Sequence, residues 1–263
     1  MTKYLIFAKI SFQSNFTYKA DYILSIFFNM VFFFIFFAVW RYVYSDMPNG
    51  TIATFSLTST ITYYFITSLI YRTDVADSIY IGNDIWNGFF TNTLLKPWSI
   101  IFSEILYSIT DTITTLALYL PFFALMFVLA HNFIALPSIL YLLYFIITLI
   151  LAYFINIWIN FCLHALTFYW GDQEPNIGLV NYIIAFFAGG YFPLAFLPAS
   201  LAWFKYLPFR FLFDVPANIF LQKLNFIQIL SSWGQMIIWI FVFYLIFYFL
   251  FKNGLKRYTG TGR

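Results

Sequence analysis

From Tyr22 to Tyr44 the chain is almost entirely Phe, Ile, Val and Leu, and that run restricts what the protein can become. A helix of about 20 apolar residues is what crosses the ~30 Å hydrocarbon core of a bilayer. Inside lipid every backbone N–H and C=O must be satisfied within the fold, and a helix does this by itself. Similar runs recur down to the C-terminus. Of the 263 residues 63% are hydrophobic and 9% charged, against about 25% charged in an ordinary soluble domain. The fold class read from this is an all-α integral membrane protein. A net charge of +3 is too small to imply a nucleic-acid partner. The lone cysteine, Cys162, excludes an internal disulfide and a multi-cysteine metal site. The 38 Phe and 21 Tyr carry no functional message, because a coding bias toward Phe, Ile, Tyr and Asn produces the same excess.

The expected layout is a single transmembrane domain over residues 1–263 with six spans. Residues 1–21 read as a helix lying on the membrane surface, with Lys3, Lys9 and Lys19 suited to an anionic cytoplasmic leaflet. A plain cytoplasmic extension of the first span is the blander reading. These residues lack the compact apolar core and small-residue cleavage site of a secretory signal. Residues 22–71 hold spans one and two, roughly Tyr22–Tyr44 and Ile52–Tyr71, joined by a loop with Pro48 and Gly50. Residues 72–98 form a polar segment. Residues 99–191 hold spans three to five, roughly Ile105–Ala130 with a kink at Pro121, Ser138–His164 and Ile177–Tyr191. Residues 192–226 are a proline-broken apolar stretch, and residues 227–263 hold span six, roughly Gly234–Phe251, and a tail ending Gly260–Arg263. With the N-terminus inside, nine of the 13 Lys and Arg fall on the inner side, which places both termini and residues 72–98 in the cytoplasm.

The polar segment is too polar for lipid and too patterned for a slack linker. Ile85, Trp86, Phe89 and Phe90 recur at spacings that put them on one face of a short helix. Asn83 or Asp84 can cap that helix, and Pro97 ends the helical run that reaches it. It reads as a handle outside the membrane that docks on another protein, or as a loop that covers its own bundle. The stretch from Gly189 to Pro216 is too apolar for a solvated loop and too rich in proline for one spanning helix. Such backbone survives at membrane depth only where protein buries it or it lines a cavity. The expectation is a pair of short helices dipping in from the outer face, with Arg210 and Asp214 paired four residues apart.

Ionisable residues inside spans are functional candidates by default. Glu104 and Asp111 are seven apart on span three, and Asn156, Asn160 and His164 make one polar stripe on span four. Hydrogen bonds that fix helix packing are the plainer account of both sets. The sharper account makes Glu104, Asp111, Asn156 and Asn160 part of a translocation path.

Two motifs carry a family likeness. One is Ile85-Trp-Asn-Gly88-Phe-Phe-Thr-Asn-Thr-Leu94-Leu95-Lys96-Pro97. The other is Tyr191-Phe-Pro193-Leu194 with Leu197-Pro198, Leu207-Pro208-Phe209 and Pro216-Ala217. Together with the span layout they resemble the permease subunit of a type-2 ABC transporter, although Trp86 stands where such sequences often place a basic residue. The resemblance implies that Asp84, Ile85, Trp86, Gly88, Phe89, Leu94, Leu95, Lys96 and Pro97 contact an ATPase through a coupling helix. It also implies that Pro193, Leu194, Pro198, Pro208, Phe209, Arg210, Asp214 and Pro216 build extracellular re-entrant helices at the exit. Two ATP-binding cassette subunits, a second permease (identical or homologous) and membrane lipid are then the partners, and an amphiphilic or hydrophobic cargo is exported across the plasma membrane. The chain has no Gly-x-x-x-x-Gly-Lys-(Ser/Thr), so it holds no cofactor of its own and ATP with Mg would sit on the ATPase. A stand-alone secondary transporter or channel is the alternative, though no internal repeat is visible. An intramembrane enzyme built on His164, Asp172 and Glu174 is weaker still, since no His-Glu-x-x-His or Gly-x-Ser-x-Gly occurs.

Overall fold

Helix α1 (Lys19–Ser45) leads into a two-residue by two-residue hairpin, β1 (Thr51–Ile52) and β2 (Phe55–Ser56), and then helix α2 (Leu57–Ile70). A 3-10 turn (Tyr71–Thr73) precedes the short helices α3 (Ile81–Trp86) and α4 (Phe90–Leu94). Next come α5 (Ile100–Ala130), α6 (Ile139–Ala165), the single turn α7 (Thr167–Trp170) and α8 (Glu174–Phe187). Three 3-10 pieces (Leu194–Phe196, Ala199–Tyr206 and Pro208–Phe211) lead to α9 (Asp214–Phe220) and the last helix α10 (Phe226–Leu255). This computed structural model describes residues 19–47, 50–75, 78–97 and 99–260. The expected surface helix therefore lies outside the described residues up to residue 18, as do residues 48 and 49 of the first loop and the last three residues of the tail.

Among the described residues four helices are long and apolar enough to cross a membrane: Leu24–Ser45 of α1, the α5 run Ile100–Phe133, the α6–α7 run Ile139–Trp170, and α10. Their ends follow from local chemistry. Ser99 caps α5 by accepting from Phe102 N–H, and Asn225 and Gln228 form a reciprocal capping box at the start of α10, both bonds 2.9 Å. Pro121 sits inside α5 without ending it. Large apolar side chains on all four, such as Phe32, Leu120, Ile150 and Ile238, point outward, which suits lipid rather than water.

The other two expected spans are shorter than the sequence reading. α2 and α8 each have 14 residues, a length of about 21 Å. Span two loses its first turn because Thr51 to Ser56 fold back as an antiparallel hairpin, Thr51 opposite Ser56 and Ile52 opposite Phe55. Its turn residues Ala53 and Thr54 both have positive φ, 44° and 78°, the backbone of a two-residue type I′ loop. Neither residue favours that conformation, so tertiary contacts hold it. Tyr44 donates its hydroxyl to Phe55 O at 2.9 Å, and Lys223 donates to Thr54 O at 3.0 Å while its ammonium lies 3.0 Å from the Phe55 ring centre. Burial pushes the Lys223 ammonium down to about 8, against the opposing pull of Asp214. Span five ends at Phe187 because Gly189, at φ +82°, turns the chain and Gly190 N–H returns to Ala185 O.

α2 is enclosed along most of its length: Thr60, Ile61, Thr62, Tyr63, Phe65, Ile66, Thr67 and Ile70 are all buried. α1 stacks on it through Phe36 and Tyr64, with ring centres 4.3 Å apart. α10 runs along α6, pinned by Trp233 Nε1 donating to Thr148 Oγ1 at 2.8 Å and by the Trp158, Phe161 and Phe247 rings. A second apolar cluster lies under the polar segment and holds Val75, Ile79, Ile81, Ile85 and Phe90 against Ile157, Phe161, Ala165 and Phe247.

Candidate functional site

The polar segment folds as two short helices rather than one. α3 starts at Ile81 with Tyr80 as its N-cap residue, so Asn83 and Asp84 do not cap it. Gly88, at φ +77°, breaks the chain between α3 and α4, a backbone that a side chain would strain. This break also splits the predicted apolar face. Ile85 and Phe90 turn inward and are buried, Trp86 is half-buried, and Phe89 points out. Asp84 has a different task from the one expected: its carboxylate accepts from Thr93 Oγ1 at 2.8 Å and ties α3 to α4. The outer tip is left to Phe89, Leu94 and Leu95, which are 60, 47 and 79% exposed, with Lys96 and Pro97 beside them.

Three surfaces hold this pair in place. Gly82 lies against the end of α6, where a Cβ would stand 2.6 Å from His164 Nδ1 and 3.2 Å from Thr167 Oγ1. The C-terminal tail folds over from the other side, and Tyr258 donates its hydroxyl to Gly88 O at 3.1 Å while its ring meets Phe90 edge-on. From below, Glu104 of α5 accepts the Tyr80 N–H at 2.9 Å, and Tyr80 meets Tyr107 edge-on. Glu104 is thus placed at the start of α3. Between α3, α7 and the tail is a cleft lined by Trp86, Tyr169, Gly171, Arg257, Tyr258 and Thr259.

The root of the segment is fastened on two sides. Arg72 donates to Tyr119 on α5 and to Asn29 on α1, both at 3.1 Å, and Tyr119 passes its own proton to Ser25 at 2.7 Å. Two residues on, Asp74 accepts from Asn156 at 3.2 Å. Asn160 donates to Asn156 Oδ1 at 2.8 Å, and Asn181 of α8 donates to Asn160 Oδ1 at 2.9 Å. Asn156, Asn160 and His164 do share one face of α6, as their spacing requires, and that face meets the segment and α8. Asp74, Tyr153, Asn156 and Asn181 line a small cavity at this junction. Asp111 is half-buried on α5, next to the turn where Ser108 and Thr112 bond to Tyr153 of α6. Among the described residues there is no group of acidic, His or Cys side chains that could hold a metal ion.

The proline-broken stretch is built of three 3-10 pieces and α9, not a pair of helices. Pro193, Pro208 and Pro216 are buried, Leu194 and Phe209 half-buried, and Pro198 exposed. Arg210 and Asp214 lie on separate elements and share no hydrogen bond, though the Arg210 charge still favours the Asp214 carboxylate. Arg210 donates to Lys205 O at 2.9 Å, while Asp214 accepts from Tyr63 of α2 at 3.2 Å and from Leu194 N–H at 3.3 Å. The Tyr63 hydroxyl also meets Gly189 O at 2.7 Å.

Sequence reasoning missed Asp74, Asn181, Tyr63 and Tyr258. Each acts across a long stretch of chain or from a segment that read as plain apolar span or tail. The one available signal was Asp74 itself, an acid two residues beyond Arg72 at the mouth of a span.

Comparison with curated proteins finds no match. A family model described as ABC-2 family transporter protein matches residues 27–262.

Proposed function

Because the chain belongs to the ABC-2 transporter family, we propose that it is the permease subunit of an ATP-driven exporter, coupled to its motor through residues 74–97. The observation that carries this is the division of labour in that segment. One side is locked to α5, α6 and the tail, while Phe89, Leu94 and Leu95 stand out as an apolar tip exposed on its far side. Apolar side chains presented on a rigid base are what an interface anchor requires. The motor is a pair of ATP-binding cassette subunits that bind ATP and Mg. A second permease, identical or homologous, completes the pathway, since so few helices cannot enclose a large amphiphile alone. Both termini and the segment face the cytoplasm of a plasma membrane, α2 and α8 complete six passes, and the stretch from Pro193 to Pro216 roofs the outer side. The cargo is amphiphilic or hydrophobic.

The test uses side chains whose loss does not touch the core. Phe89→Ser with Leu95→Ser should lower recovery of the ATPase with the permease by roughly tenfold, the equivalent of one interface anchor, at unchanged permease yield. Full recovery and full export by that variant would overturn the reading. Asp111 remains the span residue best placed to meet a polar or cationic part of the cargo. Asp111→Asn should lower export with expression unchanged, and equal export in membrane vesicles would remove Asp111 from the pathway.

A further inference from the structure

The four side chains Asp74, Asn156, Asn160 and Asn181 form a chain with one direction. Asn181 donates to Asn160, Asn160 to Asn156, and Asn156 to Asp74, over 2.9, 2.8 and 3.2 Å. An amide carries its donor and its acceptor on opposite sides of one carbon, whereas an ionised carboxylate only accepts. The Asp74 carboxylate fixes Asn156, and the Asn156 backbone carbonyl, which accepts from the same Asn160 N–H2 at 3.1 Å, helps to fix Asn160. Asn156 must present its N–H2 to Asp74, so it offers its oxygen to Asn160. Asn160 must then present its N–H2 there and offer its oxygen to Asn181. The three amide dipoles align head to tail with their positive ends toward Asp74, and aligned hydrogen bonds of this kind strengthen one another in a poorly polar interior. Asn160, the middle member, is fully buried.

The place of the chain gives it a role. Asp74 is the first residue beyond the 3-10 turn Tyr71–Thr73, so it is the root of the segment proposed to meet the ATPase. Arg72 fastens the same root to α1 and α5, while the amide chain reaches α6 and then α8. Two residues thus hold opposite sides of the bundle at one point of the backbone.

We propose that Asp74, Asn156, Asn160 and Asn181 are a polarised tether that positions the root of residues 74–97 on α6 and α8, and that its direction is set by the Asp74 carboxylate at one end together with the Asn156 backbone carbonyl under Asn160. Asp74 is a positioning residue and contacts no cargo. The role in transport rests on the proposed function; the polarity does not.

Polarity has a consequence that separate local hydrogen bonds lack. A carboxylate at position 181 would demand the reverse direction, so two acceptors would collide somewhere along the chain. Replacing Asp74 by an amide removes the demand at the other end, and the side-chain links can then run backwards at the loss of the second bond from Asn160 N–H2 to Asn156 O. Asn181→Asp in the otherwise unaltered permease should lower the melting temperature, read in detergent at about pH 8, above the ordinary carboxylate range, by about 5 °C or more. Asp74→Asn alone should cost under about 2 °C, because an amide still accepts from Asn156. Adding Asn181→Asp to Asp74→Asn should then cost about half of what it costs in the unaltered permease. If Asn181→Asp prevents expression in the first background and permits it in the second, that is the same result. Equal losses in both backgrounds, or no loss in either, would overturn the tether. This cycle needs no ATPase, so it stands apart from the transport reading. For the positioning role, Asp74→Ala, which leaves Asn156 without its acceptor, should cut cargo moved per ATP hydrolysed in the complete transporter by roughly tenfold, a ratio that a merely structural contact does not change. An unaltered ratio in stable protein would overturn that role.

Discussion

Gly82→Ala is expected to lower the thermal stability of the permease and to disconnect residues 74–97 from the bundle. The added methyl would lie 2.6 Å from His164 Nδ1 and 3.2 Å from Thr167 Oγ1, closer than such atoms approach. His164 cannot swing aside, since it is 1% exposed and Thr167 beside it is also buried. The strain therefore falls on α3, which has six residues and no side-chain cap. Overpacking of a closed site costs about 1–3 kcal/mol. The helix that yields is the one whose displacement matters, because Ile81 and Ile85 anchor the second apolar cluster from it. Transport should fall further than stability, and ATPase activity should persist without cargo movement. Gly82→Val should be worse than Gly82→Ala, and His164→Ala should restore part of the loss by opening the space. Melting curves and vesicle transport on the three variants decide the point. A Gly82→Ala protein as stable and as active as the parent would show that α3 does not bear on α6 as the geometry requires.

That contact illustrates how far the sequence could be read. The long helices α1, α5, α6 and α10 were legible because lipid makes a simple demand and a run of Phe, Ile and Leu answers it locally. The existence of the polar segment was legible for the same reason. Its internal face was not. Ile85, Trp86, Phe89 and Phe90 satisfy helical spacing, but Gly88 at φ +77° stops the helix before the pattern is complete, and the pattern alone does not show which of the four the bundle takes. The hairpin at Thr51–Ser56 was hidden more deeply. Ala53-Thr54 carries none of the turn preference of Asn-Gly, and its partners Tyr44 and Lys223 lie on either side of it in sequence, one of them far away. Glu104 and Asp84 were read as site acids by their position. The structure gives each a neighbouring N–H or O–H donor to hold, which no spacing rule announces.

Tyr63→Phe should be the most damaging single-atom deletion on the opposite side of the molecule. Tyr63 has no exposed surface, and its hydroxyl faces Gly189 O at 2.7 Å and Asp214 Oδ1 at 3.2 Å. Removing that oxygen leaves a buried carbonyl and a carboxylate short of a donor, which costs about 1–3 kcal/mol and more where charge is involved. The loss is concentrated at a junction. Gly189 is the turn that ends α8, Asp214 begins α9 and returns its N–H to Ala188 O at 3.0 Å, and Leu194 N–H shares the same carboxylate. One hydroxyl therefore holds the end of α8, the first 3-10 piece and α9 to the largely buried α2. The expected result is a fall of several degrees in melting temperature, with increased access of a water-soluble thiol reagent to a cysteine placed at Pro198, an exposed position on that stretch. Because the two residues share one hydroxyl contact, the losses from Tyr63→Phe and Asp214→Asn should fall short of additive. A melting temperature within about 1 °C of the parent for Tyr63→Phe would mean that the outer stretch is held by its apolar contacts alone. The buried prolines 193, 208 and 216, and not this hydroxyl, would then be what holds that stretch down.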